Sequence, residues 1–267
     1  VTINSPVEGS SYEAGTSISF SGSALDLPDG DLSAGLSWTS DLDGSIGSGA
    51  SFSISSLRVG THLITAAVTD SGGLPGTAQV TITITNTAPV ITISTPAEGS
   101  SYEVGSSISF NGSALDVPDG DLSANLSWTS NLDGVLGSGA SFSTSSLTVG
   151  THLITAAVTD SGGLPGSAQV TVTITDPAPV VSISSPSDGA SYTVGTSISF
   201  SGSALDVPDG DLSADLSWTS DLDGVLGSGA SFSINSLSVG THTITATVTD
   251  SGGLSGSAQV TLTVTAI

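Results

Sequence analysis

Cysteine and methionine are absent from this chain of 267 residues, and Arg58 is its only lysine or arginine. Without cysteine there is no disulfide framework and no thiolate metal centre. A module of ordinary size can bury enough core to stand without such staples, so the absence does not assign a compartment. Without lysine or arginine nothing neutralises phosphates, and release of counter-ions by those residues drives binding to nucleic acid and to anionic lipid head groups. With 24 acidic residues and a formal charge of −23, the chain repels both, and no nucleic-acid partner is expected. No apolar run approaches the roughly 20 residues of a membrane-spanning helix, so no membrane insertion is expected of this segment. The chain opens at Val1 with no signal-peptide pattern. The expectation is a segment of a longer repeat protein whose targeting signals lie elsewhere.

What is present is a repeat. Val1-Thr2-Ile3 realigns with Ile91-Thr92-Ile93 and Val181-Ser182-Ile183, and the later landmarks follow at the same interval without insertion or deletion. About four residues in five agree between copies, and each copy has the size of a single domain rather than of a solenoid unit. The expected boundaries are residues 1–86, 87–176 and 177–267. Only 9% of residues are charged, and the apolar ones fall in short periodic runs, which argues for folded modules rather than disorder.

Apolar and Ser/Thr residues alternate with period two between clusters of Gly, Pro and Asp, the pattern of half-buried antiparallel strands. In the first copy it predicts strands near 1–4, 16–23, 34–39, 50–54, 61–69 and 77–85. Substitutions between copies orient the fifth: Leu63 becomes Thr243 and Ala67 becomes Thr247, so His62, Ile64, Ala66 and Val68 form the buried face. Ile18, Phe20, Leu36, Trp38, Phe52, Val80, Ile82 and Ile84 point inward by the same alternation. Thr85-Asn86-Thr87-Ala88-Pro89 and Thr175-Asp176-Pro177-Ala178-Pro179 read as short linkers stiffened by proline.

Gly60-Thr61-His62 through Val68-Thr69-Asp70-Ser71-Gly72-Gly73, followed by Gly76-Thr77-Ala78-Gln79 and Val80 to Ile84, resembles the last two strands of bacterial PKD-type and related Ig-like repeats. Trp38 followed by an Asp-Gly turn resembles them too, as do Gly150 to Ile174 and Gly240 to Val264. His62, His152 and His242 depart from the aromatic residue common at that place, and Asp41-Leu42-Asp43-Gly44 departs from the usual turn after Trp. The neighbouring cadherin-like modules are therefore similar as well. The resemblance implies an all-β fold of three tandem Ig-like antiparallel β-sandwich domains in an extended array, with an extracellular or cell-surface setting.

The densest chemistry is Asp26-Leu27-Pro28-Asp29-Gly30-Asp31, which recurs as Asp116, Asp119 and Asp121 and as Asp206, Asp209 and Asp211. Calcium takes six to eight hard oxygen ligands in flexible loops, and this spacing suits it without matching an EF-hand. In an Ig-like sandwich the loop between the last two strands lies at the same end, which adds Asp70, Asp160 and Asp250. Calcium held there would stiffen each module against the one before, whose lower loops carry Asp41 and Asp43 or Asn131 and Asp133. The alternative is that these Asp residues cap backbone N–H groups in turns.

Other chemistries find little. One histidine per copy gives no converging zinc ligands, and on a core-facing register it is expected to fill a slot at the sandwich rim with one nitrogen hydrogen-bonded. The carboxylates lie in small repeated turns rather than as a flanking pair for glycoside hydrolysis, and serine has no evident activating base. Tyr12, Tyr102 and Tyr192 are the aromatic residues expected to be exposed to a sugar. No enzyme is expected. The sequence suits a spacer in the stalk of a secreted or surface-anchored bacterial protein, with modules of about 35–40 Å and a rod near 120 Å, whose partners are its own neighbouring modules. The alternative is an adhesive or filament-forming protein that binds copies of itself or surface glycans.

Overall fold

The structure is a computed structural model that describes residues 1–267. Apart from three short 3₁₀ turns, every regular element is a strand. In the first module these are β1 (Thr2–Ser5), β2 (Ser10–Glu13), β3 (Ile18–Ser23), β4 (Leu25–Asp26), β5 (Gly30–Asp31), β6 (Ser37–Ser40), β7 (Gly44–Ser48), β8 (Ser51–Ile54), β9 (Gly60–Thr69) and β10 (Pro75–Thr85). One sheet has the order β1-β3-β8 and the other β2-β10-β9-β6-β7, and both recur in the second and third modules. No sheet is shared between modules, and each has a separate hydrophobic core.

Four strands escape the sequence pattern: the two-residue β4 and β5, which pair with each other in the Asp loop, and the longer β2 and β7. Ser10-Ser11-Tyr12-Glu13 offers a single apolar residue, yet it pairs with β10 through backbone groups, which no side-chain alternation reveals. That pairing is parallel, so the sandwich is not wholly antiparallel. The chain pairs β1 with β3 in one sheet, passes Pro6, which has no N–H to donate, and crosses to the other sheet as β2. Gly44-Ser45-Ile46-Gly47-Ser48 reads as turn residues but forms β7, opposite β6. Residues 34 and 35, expected in a strand, belong instead to a 3₁₀ turn, Ser33–Gly35.

The expected inward set is the core. Ile18, Phe20, Leu36, Trp38, His62, Ile64, Ala66, Val80, Ile82 and Ile84 are buried, with Phe52 and Val68 half-buried against them. Phe20 and Phe52 face each other across β3 and β8 and stack at 5.0 Å, and the Trp38 indole meets each edge-on at 5.8 Å. Quadrupole complementarity favours both arrangements. The buried indole N–H donates to the Gly49 carbonyl at 3.0 Å. Gly47 pairs with Trp38 beneath the Phe52 ring, where a methyl group would fall 2.5 Å from a ring carbon. That close approach explains a glycine inside a strand.

Tyr12, Tyr102 and Tyr192 are half-buried and pack against the three cores, so they are not the exposed platforms expected of them. They belong to the edge strand of the five-stranded sheet, β2 in the first module, and pack against the core from there.

Gly47→Ala should destabilise the first module by about 1–3 kcal/mol through overpacking against Phe52. Ser48→Ala, one residue along on the exposed face, should stay within about 0.5 kcal/mol. Calorimetry of the chain separates the two.

Candidate functional site

Each histidine is fully buried and uses both ring nitrogens, one more than the sequence suggests. His62 Nε2 lies 2.7 Å from the Arg58 carbonyl, which only accepts, so Nε2–H donates there. Nδ1 lies 2.7 Å from the Ser40 hydroxyl and 3.7 Å from Asp43 Oδ2. Ser40 Oγ in turn receives the N–H groups of Leu42 and Asp43 at 3.2 and 3.3 Å. The same arrangement joins Ser130 to His152 and Ser220 to His242. Ser40, His62 and Asp43 thus form a turn anchor: the hydroxyl is buried, and it is bonded to a ring nitrogen and to two backbone N–H groups.

The Asp loops gather at the opposite end of β9. Asp26, Asp29 and Asp70 bring carboxylate oxygens within 4.8 Å of one another. Ser71 N–H and Oγ–H bind the two oxygens of Asp29, each at 2.8 Å, and Ser161 and Ser251 do the same for Asp119 and Asp209. These bonds, the backbone one foremost, hold Asp29, Asp119 and Asp209 below the usual carboxylate range. Asp31, Asp121 and Asp211 turn away to Ser33, Ser123 and Ser213, whose side-chain and backbone donors likewise lower them, and they join no cluster. Asp41 is bonded within its own module by Leu63 N–H, and Asp43 by Arg58. The lower loops therefore contribute nothing to the acidic clusters.

Sequence reasoning missed the linker. Asp176 lies with Asp206 and Asp250, and its oxygens come within 4.8 Å of theirs. At the preceding junction Asn86 occupies the same place, and its amide donates to Asp160 at 2.9 Å. Burial first, and then the neighbouring charges of Asp206, Asp250 and Asp209, raise the Asp176 carboxyl. The visible signal was the linker alignment, in which Asn86 and Asp176 are equivalent positions beside Pro-containing segments.

No family model and no curated protein matches the chain. Among solved structures it is similar to the fibronectin(III)-like modules of Clostridium thermocellum CbhA, at 16% identity over 66% of this chain and 95% of that one, with a TM-score of 0.31. It is similar also to Sidekick-1 immunoglobulin domains 1–5, at 14% identity over 99% of this chain and 58% of that one, TM-score 0.35. A third is Protocadherin Gamma B2 extracellular cadherin domains 1–5, at 17% identity over 100% of this chain and 60% of that one, TM-score 0.29. The chain thus spans about six-tenths of the length of the last two. Likeness at this level assigns no activity, and the sandwich fold described above stands on strand pairing itself.

Asp→Asn changes at 29, 119 and 209 should flatten the acid limb of the stability curve. A depressed carboxylate contributes stability that is present above about pH 4 and lost as pH falls through the lowered native value. Melting temperature followed from pH 7 to pH 2 should therefore fall less steeply in the triple variant. Ser40→Ala should cost about 1–3 kcal/mol in the first module, since it leaves His62 Nδ1 and two N–H groups unpaired; the same calorimetric transition reads it.

Proposed function

We propose that this chain is a non-catalytic spacer segment from the stalk of a secreted or surface-anchored bacterial protein, with residues 1–86, 87–176 and 177–267 as its units. The observation that carries this reading is the pair of junctions. Three self-sufficient cores are joined by residues 86–89 and 176–179, and each linker lies on the module that follows it. Pro89 and Pro179 carbonyls sit directly over Gly166 and Gly256, where no Cβ would fit. Leu164 and Leu254 are 37% and 40% exposed beneath their linkers, whereas Leu74, with no linker over it, is 70% exposed. Val117 and Val207 reach the preceding module at Gly15 and Gly105. Linkers seated in this way limit bending between modules, which is what a spacer requires.

Calcium fits the oxygen-only donor set of Asp176, Asp206 and Asp250 at the second junction. A bound ion there would add stiffness to linkers that already pack. A chain whose only lysine or arginine is Arg58 offers one site for trypsin-type cleavage, which suits an extracellular setting. No helix is long and apolar enough to cross a membrane.

A second reading, association of copies into filaments, is favoured by the edge strands equivalent to β7 in the second and third modules, where Val135 and Val225 are 82% and 79% exposed.

Small-angle scattering in calcium and in EDTA, over a concentration series, tests both. A spacer should give a concentration-independent rod of about 120 Å. A particle that lengthens with concentration would replace the spacer by a filament subunit, and a compact particle would sink both readings.

A further inference from the structure

The two junctions differ in one side chain, and the oxygens around it are accounted for differently. In the second module Asp160 Oδ1 accepts the Leu164 N–H at 2.8 Å and Oδ2 accepts the Asn86 amide at 2.9 Å, so the carboxylate is complete. In the third module Asp250 Oδ1 accepts the Leu254 N–H at 2.7 Å, but Oδ2 has no partner. The residue in the place of Asn86 is Asp176, which carries no proton to donate when ionised. Asp176 Oδ1 and Asp206 Oδ1 are also buried without partners. Asp206 and Asp250 are each 8% exposed and Asp176 is half-buried, and each of the three places a carboxylate oxygen within 4.8 Å of the others.

Unpaired buried carboxylates are strongly unfavourable, and three within one cluster repel one another. The chain supplies no cationic side chain there, since Arg58, its only lysine or arginine, is bonded to Asp43 in the first module. Of the other acids of that loop, Asp209 has both oxygens bonded by Ser251 and Asp211 is bonded by Ser213. Asp176 also cannot retreat toward the hairpin: its carboxylate rests on Gly252, where even a Cβ would lie 2.6 Å from Oδ2.

We propose that the junction between the second and third modules is a divalent-cation site closed by Asp176, with Asp206 and Asp250 as fellow ligands, whereas Asn86 locks the first junction without an ion. The amide N–H at position 86 does what the cation does at position 176: it satisfies the hairpin carboxylate and ties the linker to the following module. At the first junction only one carboxylate oxygen, Asp116 Oδ1, and the Asn86 amide oxygen remain without partners, too little charge for a second strong site. The first module also brings Asp26, Asp29 and Asp70 together, but none of their oxygens is buried and unpartnered. The chain therefore has one cation-dependent joint and one cation-independent joint. This rests on the reading of the junctions as the parts that set stiffness.

Titration of the metal-free 267-residue chain with calcium by calorimetry is the test, with Asp176→Asn and Asn86→Asp as reciprocal variants. Each variant installs the side chain native to the other junction, so both should fold, and circular dichroism checks that they do. The expected results are one strong site in the unmodified chain, affinity at least tenfold weaker in Asp176→Asn, and two sites in Asn86→Asp. Scattering of the same samples should show that calcium stiffens the unmodified chain and leaves Asp176→Asn unchanged. No binding, three equivalent sites, or unaltered binding in Asp176→Asn would each overturn the inference. A single site lost in Asp176→Asn, on a particle that is compact rather than rod-like, would keep the cation site and remove the spacer reading.

Discussion

A chain with 24 acidic residues and one basic one has to hold its carboxylates with hydrogen-bond donors instead of cations, and most of the loop structure follows from that constraint. Backbone N–H groups and serine or threonine hydroxyls take the part that lysine and arginine play elsewhere. Position 58 makes the substitution visible. Arg58 bonds Asp43 in the first module, while Thr148 and Ser238 bond Asp133 and Asp223 with a hydroxyl and a backbone N–H each. The turn is the same in all three, so the positive charge is dispensable where a short donor can reach the carboxylate. Charge-assisted bonds of this kind are stronger than neutral ones.

The same economy of donors explains where the molecule is incomplete. In the turns, each Asp has a Ser or an N–H within reach, because the backbone around it was built by that contact. At the junctions the carboxylates come from three segments distant in sequence, and no turn supplies donors for all of them. Asn86 provides one across the first junction, and Asp176 provides none across the second. The joint with the most acid and the fewest donors is thus where an outside cation has the most to contribute.

Beneath the loops, the core follows a simpler rule that repeats without variation. A Trp indole set edge-on to two stacked Phe rings fixes the spacing of the sheets, and the buried Ser–His pair fixes the turn at one end. Because each module closes its own core, the junctions are free to differ without cost to the fold, and they do.

The sequence by itself determined the repeat, the alternation that buries Ile64 and Ala66, and the aromatic core, since each depends on local periodicity and on which positions tolerate Thr in place of Leu. It could not show β2, whose pairing with β10 is made by backbone groups that every residue carries, nor β7, whose glycines look like a turn until Phe52 is placed above Gly47. Asp and Asn illustrate the division most sharply. At 41, 131 and 221 the exchange of Asp for Asn changes nothing, because the next strand's N–H needs only an acceptor oxygen and either side chain offers one. At 86 and 176 the same exchange separates a closed junction from an open one, because there the partner is a buried carboxylate that needs a donor. Both exchanges look alike along the chain. Only the tertiary structure decides what stands opposite each side chain, and so whether its lone pair or its proton is the part that matters.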